Sequence, residues 1–199
     1  MELKNVVNGT YEIVDGVVNV TGYVDFHGRG LTEIPWKFGT VTDGFFCFDN
    51  KLTSLKNCPV SVGMNFDCNN NQLTSLKYCP EYIGGDFYCH NNKIESLQYC
   101  PVEIGECFCC SSNKLKSLKY YPIVGKIFEC SDNPIESFKG VSFDTLMKIY
   151  DFQTNFPELT KTITVPVEHY AEIEKLIRDK LRNRGTSRRV SYKKRLDSI

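Results

Sequence analysis

The sequence predicts a β-rich repeat solenoid of the α/β type, a curved stack with a parallel sheet on its concave face and a cap at each end. Three observations predict it. A motif of 21 residues recurs along the middle of the chain. Its apolar residues alternate with the strand period of two and then change to a spacing of three. On either side of the repeats the period is absent. A fixed period of about 20–30 residues settles the architecture before any single element does, because each unit can bury its apolar edge only against its neighbours.

The motif reads F-x-C-x-x-N-x-L-x-S-L-x-x-C-P. Phe45, Phe66, Phe87, Phe108 and Phe128 open five copies, and the asparagines Asn50, Asn71, Asn92, Asn113 and Asn133 follow 21, 21, 21 and 20 residues apart. Val24, Phe26, Arg29 and Leu31 form an earlier, degenerate copy, so six units occupy residues 24–140. The alternation at Phe and Cys predicts one short strand per unit. The spacing of Leu52/Leu55, Leu73/Leu76 and Leu115/Leu118 predicts a tight return arc, closed by an aliphatic residue such as Val62, Ile83 or Ile104 and a glycine. Stacked at about 4.8 Å, such strands form a parallel sheet over a common core.

These residues resemble the leucine-rich repeat family, whose unit L-x-x-L-x-L-x-x-N-x-L is matched with Phe and Cys in place of two leucines. The S-L-x-x-C-P variant, with Gly84-Gly85 before Asp86-Phe87, is similar to short-repeat proteins encoded by tailed bacteriophages. The resemblance covers residues 8–140 and departs at Arg29, which stands where Asn is expected, and at Pro134, which follows the last Asn. It implies a ladder in which Asn50, Asn71, Asn92, Asn113 and Asn133 bond the backbone of neighbouring coils. It also implies a concave sheet face as the contact surface.

Solenoid ends expose core and need caps. Residues 1–23 are expected to form an N-terminal hairpin, since Tyr11/Ile13 and Val18/Val20 alternate around Asp15-Gly16. Residues 141–185 are expected to form a C-terminal cap, with a helix opened by Thr164 and Pro166 that places Val167, Tyr170, Ile173, Ile177 and Leu181 on one face. Residues 186–199 have the composition of a basic tail.

The 24 basic and 24 acidic residues balance, yet from Arg178 onward nine are basic and two acidic, leaving 15 against 22 in the rest. Such an acidic body with a basic end can bind itself, a nucleic acid or an acidic partner. No apolar run is long enough to span a membrane and no secretory signal opens the chain, so a cytoplasmic location and no membrane partner are expected. The ten cysteines are accordingly expected as free thiols. Eight of them (Cys47, Cys58, Cys68, Cys79, Cys89, Cys100, Cys110 and Cys130) recur in the repeat as core residues. A phosphate loop, an H-E-x-x-H zinc motif and a G-x-S-x-G elbow are lacking, so no catalytic residue and no cofactor are expected.

Alternation sends the residues six, four and two before each Asn position to the outward face of the strands. Tyr23, Asp25, His27, Phe46, Phe48, Asp67, Asn69, Tyr88, His90, Cys109 and Glu129 are the candidate partner contacts on it. Solvent-facing aromatics within an acidic and amide border have the make-up of an interface core and rim, and Phe46, Phe48 and Tyr88 are the expected hot spots. Cys107 and Cys109 are expected as surface thiols there; with Asp86 and His90 they form a conceivable zinc set, but ligands from one pair of strands do not close a tetrahedron, and no metal is expected. In the basic end, Arg182, Arg184, Arg188, Arg189, Lys193, Lys194 and Arg195 are candidate contacts to phosphates or to an acidic partner. The expected function is non-catalytic protein binding through the concave face. The phage resemblance implies a host protein as the partner, blocked or redirected in the host cytoplasm. A nucleic-acid-associated protein acting through the tail, or a structural assembly component, is the alternative.

Overall fold

The structure, a computed structural model, describes residues 1–136, 140–142, 145, 148, 149 and 175. It is a parallel β-solenoid with two rows of strands. After one 3-10 turn (Leu3–Asn5), β1 (Val7–Val14) and β2 (Val17–Asp25) form an antiparallel hairpin in which Val14 faces Val17. Asp15 and Gly16 both have positive φ, 50° and 74°, as the turn of a two-residue hairpin requires.

From β3 (Lys37–Val41) onward each coil contributes two strands, nearly all of two residues. One row is β4 (Phe45–Phe46), β6 (Phe66–Asp67), β8 (Phe87–Tyr88), β10 (Phe108–Cys109) and β12 (Phe128–Glu129). The other is β3, β5 (Ser61–Val62), β7 (Tyr82–Ile83), β9 (Glu103–Ile104) and β11 (Ile123–Val124). All pairings within the rows are parallel, and β2 joins them: Val18 pairs with Phe38 of β3, and Val24 with Phe45 of β4. The degenerate first unit is therefore the end of β2, and five coils follow it.

The second row corrects the expected single strand and return arc. In it one residue per coil points inward (Val62, Ile83, Ile104, Val124), too short a run to show alternation, yet the backbone bonds continue from coil to coil around the corner, as in Gly63 N to Val41 O and Met64 N to Asp43 O. The fold is also nearly helix-free among the described residues. Of the expected C-terminal cap, Thr145, Lys148 and Ile149 are helical, with Thr145 and Ile149 buried, and Lys148 donates to the carbonyl of Val124. Of the helix expected from Thr164, Lys175 is described, helical and exposed; its other residues and the basic tail lie outside the described residues.

The core is a set of ladders. Phe45, Phe66, Phe87, Phe108 and Phe128 are fully enclosed, with successive ring centroids 6.0, 5.5, 5.2 and 5.2 Å apart. Cys47, Cys68, Cys89, Cys110 and Cys130 are buried, and all ten cysteines are free thiols. Asn71 shows how the polar ladder works. Its Nδ2 donates to the carbonyls of Cys47 in the preceding coil (3.0 Å) and of Cys68 and Asn69 in its own, while its Oδ1 accepts Leu52 N at 2.9 Å. Asn50, Asn92, Asn113 and Asn133 repeat the arrangement, each reaching a carbonyl one rung earlier: Phe26, Cys68, Cys89 and Cys110. No helix among the described residues is long and apolar enough to cross a membrane.

Candidate interaction face

Register brings the predicted face together as parallel columns. Asp25, Phe46, Asp67, Tyr88, Cys109 and Glu129 are consecutive Cα partners across β2, β4, β6, β8, β10 and β12. His27, Phe48, Asn69 and His90 form the next column, two residues further along each coil. Tyr23 leads the column on the other side, above Gly44, Asn65 and Asp86.

At the β2 end the face is aromatic. Tyr23 and Phe46 meet edge to face with centroids 6.0 Å apart, and the His27 ring stacks on Phe48 at 5.1 Å. Asp25 holds that imidazole: its Oδ1 accepts the His27 amide at 3.0 Å and lies 2.6 Å from Nδ1. Phe46 lies flat over Gly44, where a β-carbon would come within 2.4 Å of the ring, so glycine is needed for the phenyl to lie down. Beside it Tyr23, Asp43, Gly44, Phe46, Met64 and Asn65 line a hollow of about 310 Å³. Phe46 and Phe48 are half-buried by these neighbours within the face.

Further along, the face is polar and internally bonded. Asp67 accepts the Asn69 amide at 3.0 Å and Asn69 Nδ2 at 2.6 Å. Burial between Phe46 and Tyr88 nevertheless pushes its carboxyl up to about 6; the Asn69 bonds oppose that shift and the charge of Asp49 adds to it. Tyr88 donates to Asp86 Oδ2 at 3.0 Å, and burial together with that carboxylate raises its phenol. His90 is half-buried with Nδ1 unpartnered, and burial lowers its pKa against the pull of Glu129 and Asp49.

Cys109 is a correction. Alternation does turn it outward, but it is buried, with Sγ 3.3 Å from Ser111 Oγ and 3.4 Å from Glu129 Oε2. A small side chain between longer neighbours about 4.8 Å away is covered by them. Burial first, and then Glu129, push the thiol up to about 12. Cys107 is half-buried and also raised, mainly by desolvation. Both are protonated thiols at neutral pH, not thiolates. Among the described residues no three His, Cys, Asp or Glu side chains converge as a metal-ligand set.

Sequence reasoning did not single out Asp43 and Met64, which complete the hollow, because they lie in the corner between rows where alternation fails. Carboxylates dominate the face: Asp25, Asp43, Asp49, Asp67, Asp86, Glu129 and Asp132. Beside them Lys126 pairs with Glu106, and the His27 ring meets the Asp25 carboxylate. Arg182, Arg184, Arg188, Arg189, Lys193, Lys194 and Arg195 lie outside the described residues. Comparison with protein-family models, with curated proteins and with solved structures gives no match to this chain.

Proposed function

We propose that this protein is a non-catalytic protein-binding module that takes its partner on the outward face of the β2–β12 row. The observation that carries this reading is the aromatic end of that face: Tyr23, Phe46 and Phe48 are held in fixed positions by Gly44 and His27, beside a hollow and within a field of carboxylates. Rigid aromatic rings beside a concavity are what interface hot spots consist of. The excess of carboxylates suits a partner presenting basic groups around an apolar anchor. The resemblance to leucine-rich repeat proteins of tailed bacteriophages extends the reading to a host protein that the module blocks or redirects in the host cytoplasm.

The test is capture from a nuclease-treated bacterial lysate with three forms: wild type, Phe46→Ala/Tyr88→Ala, and a chain ending at Gly185. A stoichiometric protein retained by the truncated chain and lost with the double substitution supports the reading. Capture lost with the tail or with nuclease transfers the function to nucleic acid and leaves the solenoid as a scaffold.

A further inference from the structure

We propose that a second copy of this chain docks, in the opposite direction, on a strip of tyrosines at the corner where each return arc enters β7, β9 and β11. This strip is separate from the face described above. Tyr78, Tyr99 and Tyr120 take one position in three successive coils, ahead of Cys79-Pro80, Cys100-Pro101 and Tyr121-Pro122. All three are more than half exposed, as are Val60, Tyr82, Val102 and Ile123 beside them, with Val102 at 81%.

The backbone does not favour tyrosine at this corner. Tyr78, Tyr99 and Tyr120 have φ of 71°, 71° and 68°, in the left-handed region that a β-carbon disfavours and that asparagine tolerates best. The preceding coil shows what suits the backbone: Asn57, φ 72°, donates Nδ2 to the Ile34 carbonyl at 2.9 Å. Three coils replace that residue with one that is worse for the backbone and whose ring stays more than half exposed, even where Lys77 Nζ and Lys119 Nζ lie over Tyr78 and Tyr120 at 5.1 and 4.7 Å from the ring centroids. Strain of this kind is retained where the side chain is used. Together the seven side chains expose several hundred Å², the scale of the ~800 Å² that each partner of a standard interface buries and at the upper end for an uncovered patch.

The strip matches itself when reversed. At one end, beside the shorter Asn57, is a hollow of about 440 Å³ lined by Phe38, Pro59, Val60 and Tyr78 together with Lys37, Lys56 and Glu81, and at the other end Tyr120 projects. Two copies related by a two-fold axis and laid antiparallel set each Tyr120 at the hollow of the other. The middle coils then meet, with Tyr78 opposite Tyr99 of the second copy and Val102 opposite Glu81. Gln98 stands where other coils carry Lys56, Lys77 and Lys119, so Lys77 faces an amide at the centre, while Lys56 faces Lys119 of the second copy only at the two outer ends.

Sedimentation equilibrium of the full chain tests this. Wild type is expected to dimerise with a Kd of about 10 μM or tighter. Tyr78→Asn/Tyr99→Asn/Tyr120→Asn is expected to be monomeric at ~100 μM and to melt at or above wild type, since asparagine fits these corners. Two single variants at the most exposed position keep the test open if the triple variant misfolds. Val102→Glu, set against Glu81, should weaken the dimer by about tenfold or more, while Val102→Lys should retain it. A wild type monomeric at ~100 μM, a dimer indifferent to the triple substitution, or equal loss with Glu and Lys each overturns the proposal. None of these outcomes bears on binding at the opposite row.

Discussion

At the scale of single residues the ladder asparagines are the polar groups on which the coils depend. Each links two coils through one amide, and its partners are buried main-chain groups that water does not reach. Asn71→Ala or Asn92→Ala should therefore destabilise by on the order of 1–3 kcal/mol, because the Leu52 or Leu73 amide is left without an acceptor. A melting or denaturant curve superimposable on wild type would refute that role. Asp67 acts in the opposite direction. Burial pushes its carboxyl up to about 6 in the fold, from the ordinary 3.8, so the fold holds this proton more tightly than the unfolded chain does. The stabilisation this provides is complete below about pH 4 and lost as the pH rises through about 6. Asp67→Asn is expected to stabilise by about 1–2 kcal/mol at pH 7 and by little at pH 4, read from denaturant unfolding at both. The asparagines were legible in the sequence because a recurring polar residue among apolar ones has to be satisfied. The burial of Cys109 was not, because alternation gives the side a residue faces and not the height of its neighbours.

At the scale of elements, the row opening with Phe was legible, since Phe and Cys alternate over three residues in every coil. The second row was not, with one inward residue per coil and a proline before it. The tyrosine strip escaped notice for the same reason: it sits in an arc to which no period-two rule applies, although the 21-residue recurrence of Tyr78 and Tyr99 was there to be read. What binds the rows together is close backbone approach at the corner between them. A β-carbon on Gly84 or Gly105 would fall 2.2 or 2.0 Å from the carbonyl oxygen of Gly63 or Gly84 one coil earlier. Gly84→Ala should therefore cost on the order of 2–4 kcal/mol by forcing two coils apart. An unchanged unfolding midpoint would show that the corner can spread without loss. Phe46→Ala, on the half-buried outward face, should cost about 1 kcal/mol, so its binding defect is separable from folding.

At the scale of the whole molecule, the N-terminal end of the stack is closed by the hairpin. β1 is almost entirely exposed yet pairs along the length of β2, so its contribution is to occupy the outer edge of the sheet and not to fill the core. Deleting Met1–Val14 should leave the coils folded and open that edge to other chains. Concentration-dependent aggregation, with Trp36 fluorescence unchanged in dilute solution, is the expected outcome, and a deletion variant that stays dispersed would show the edge to be harmless. β2 has a further consequence, in time and not in space. Every later strand among the described residues pairs with strands about one full coil away in sequence, whereas the hairpin closes over two residues. Loop closure is least costly there, so the hairpin is expected to form first, and among the described strands β2 is the only one that joins both rows. Each coil then has a finished edge to add to, and the chain is expected to fold in order from its N-terminus as it is synthesised.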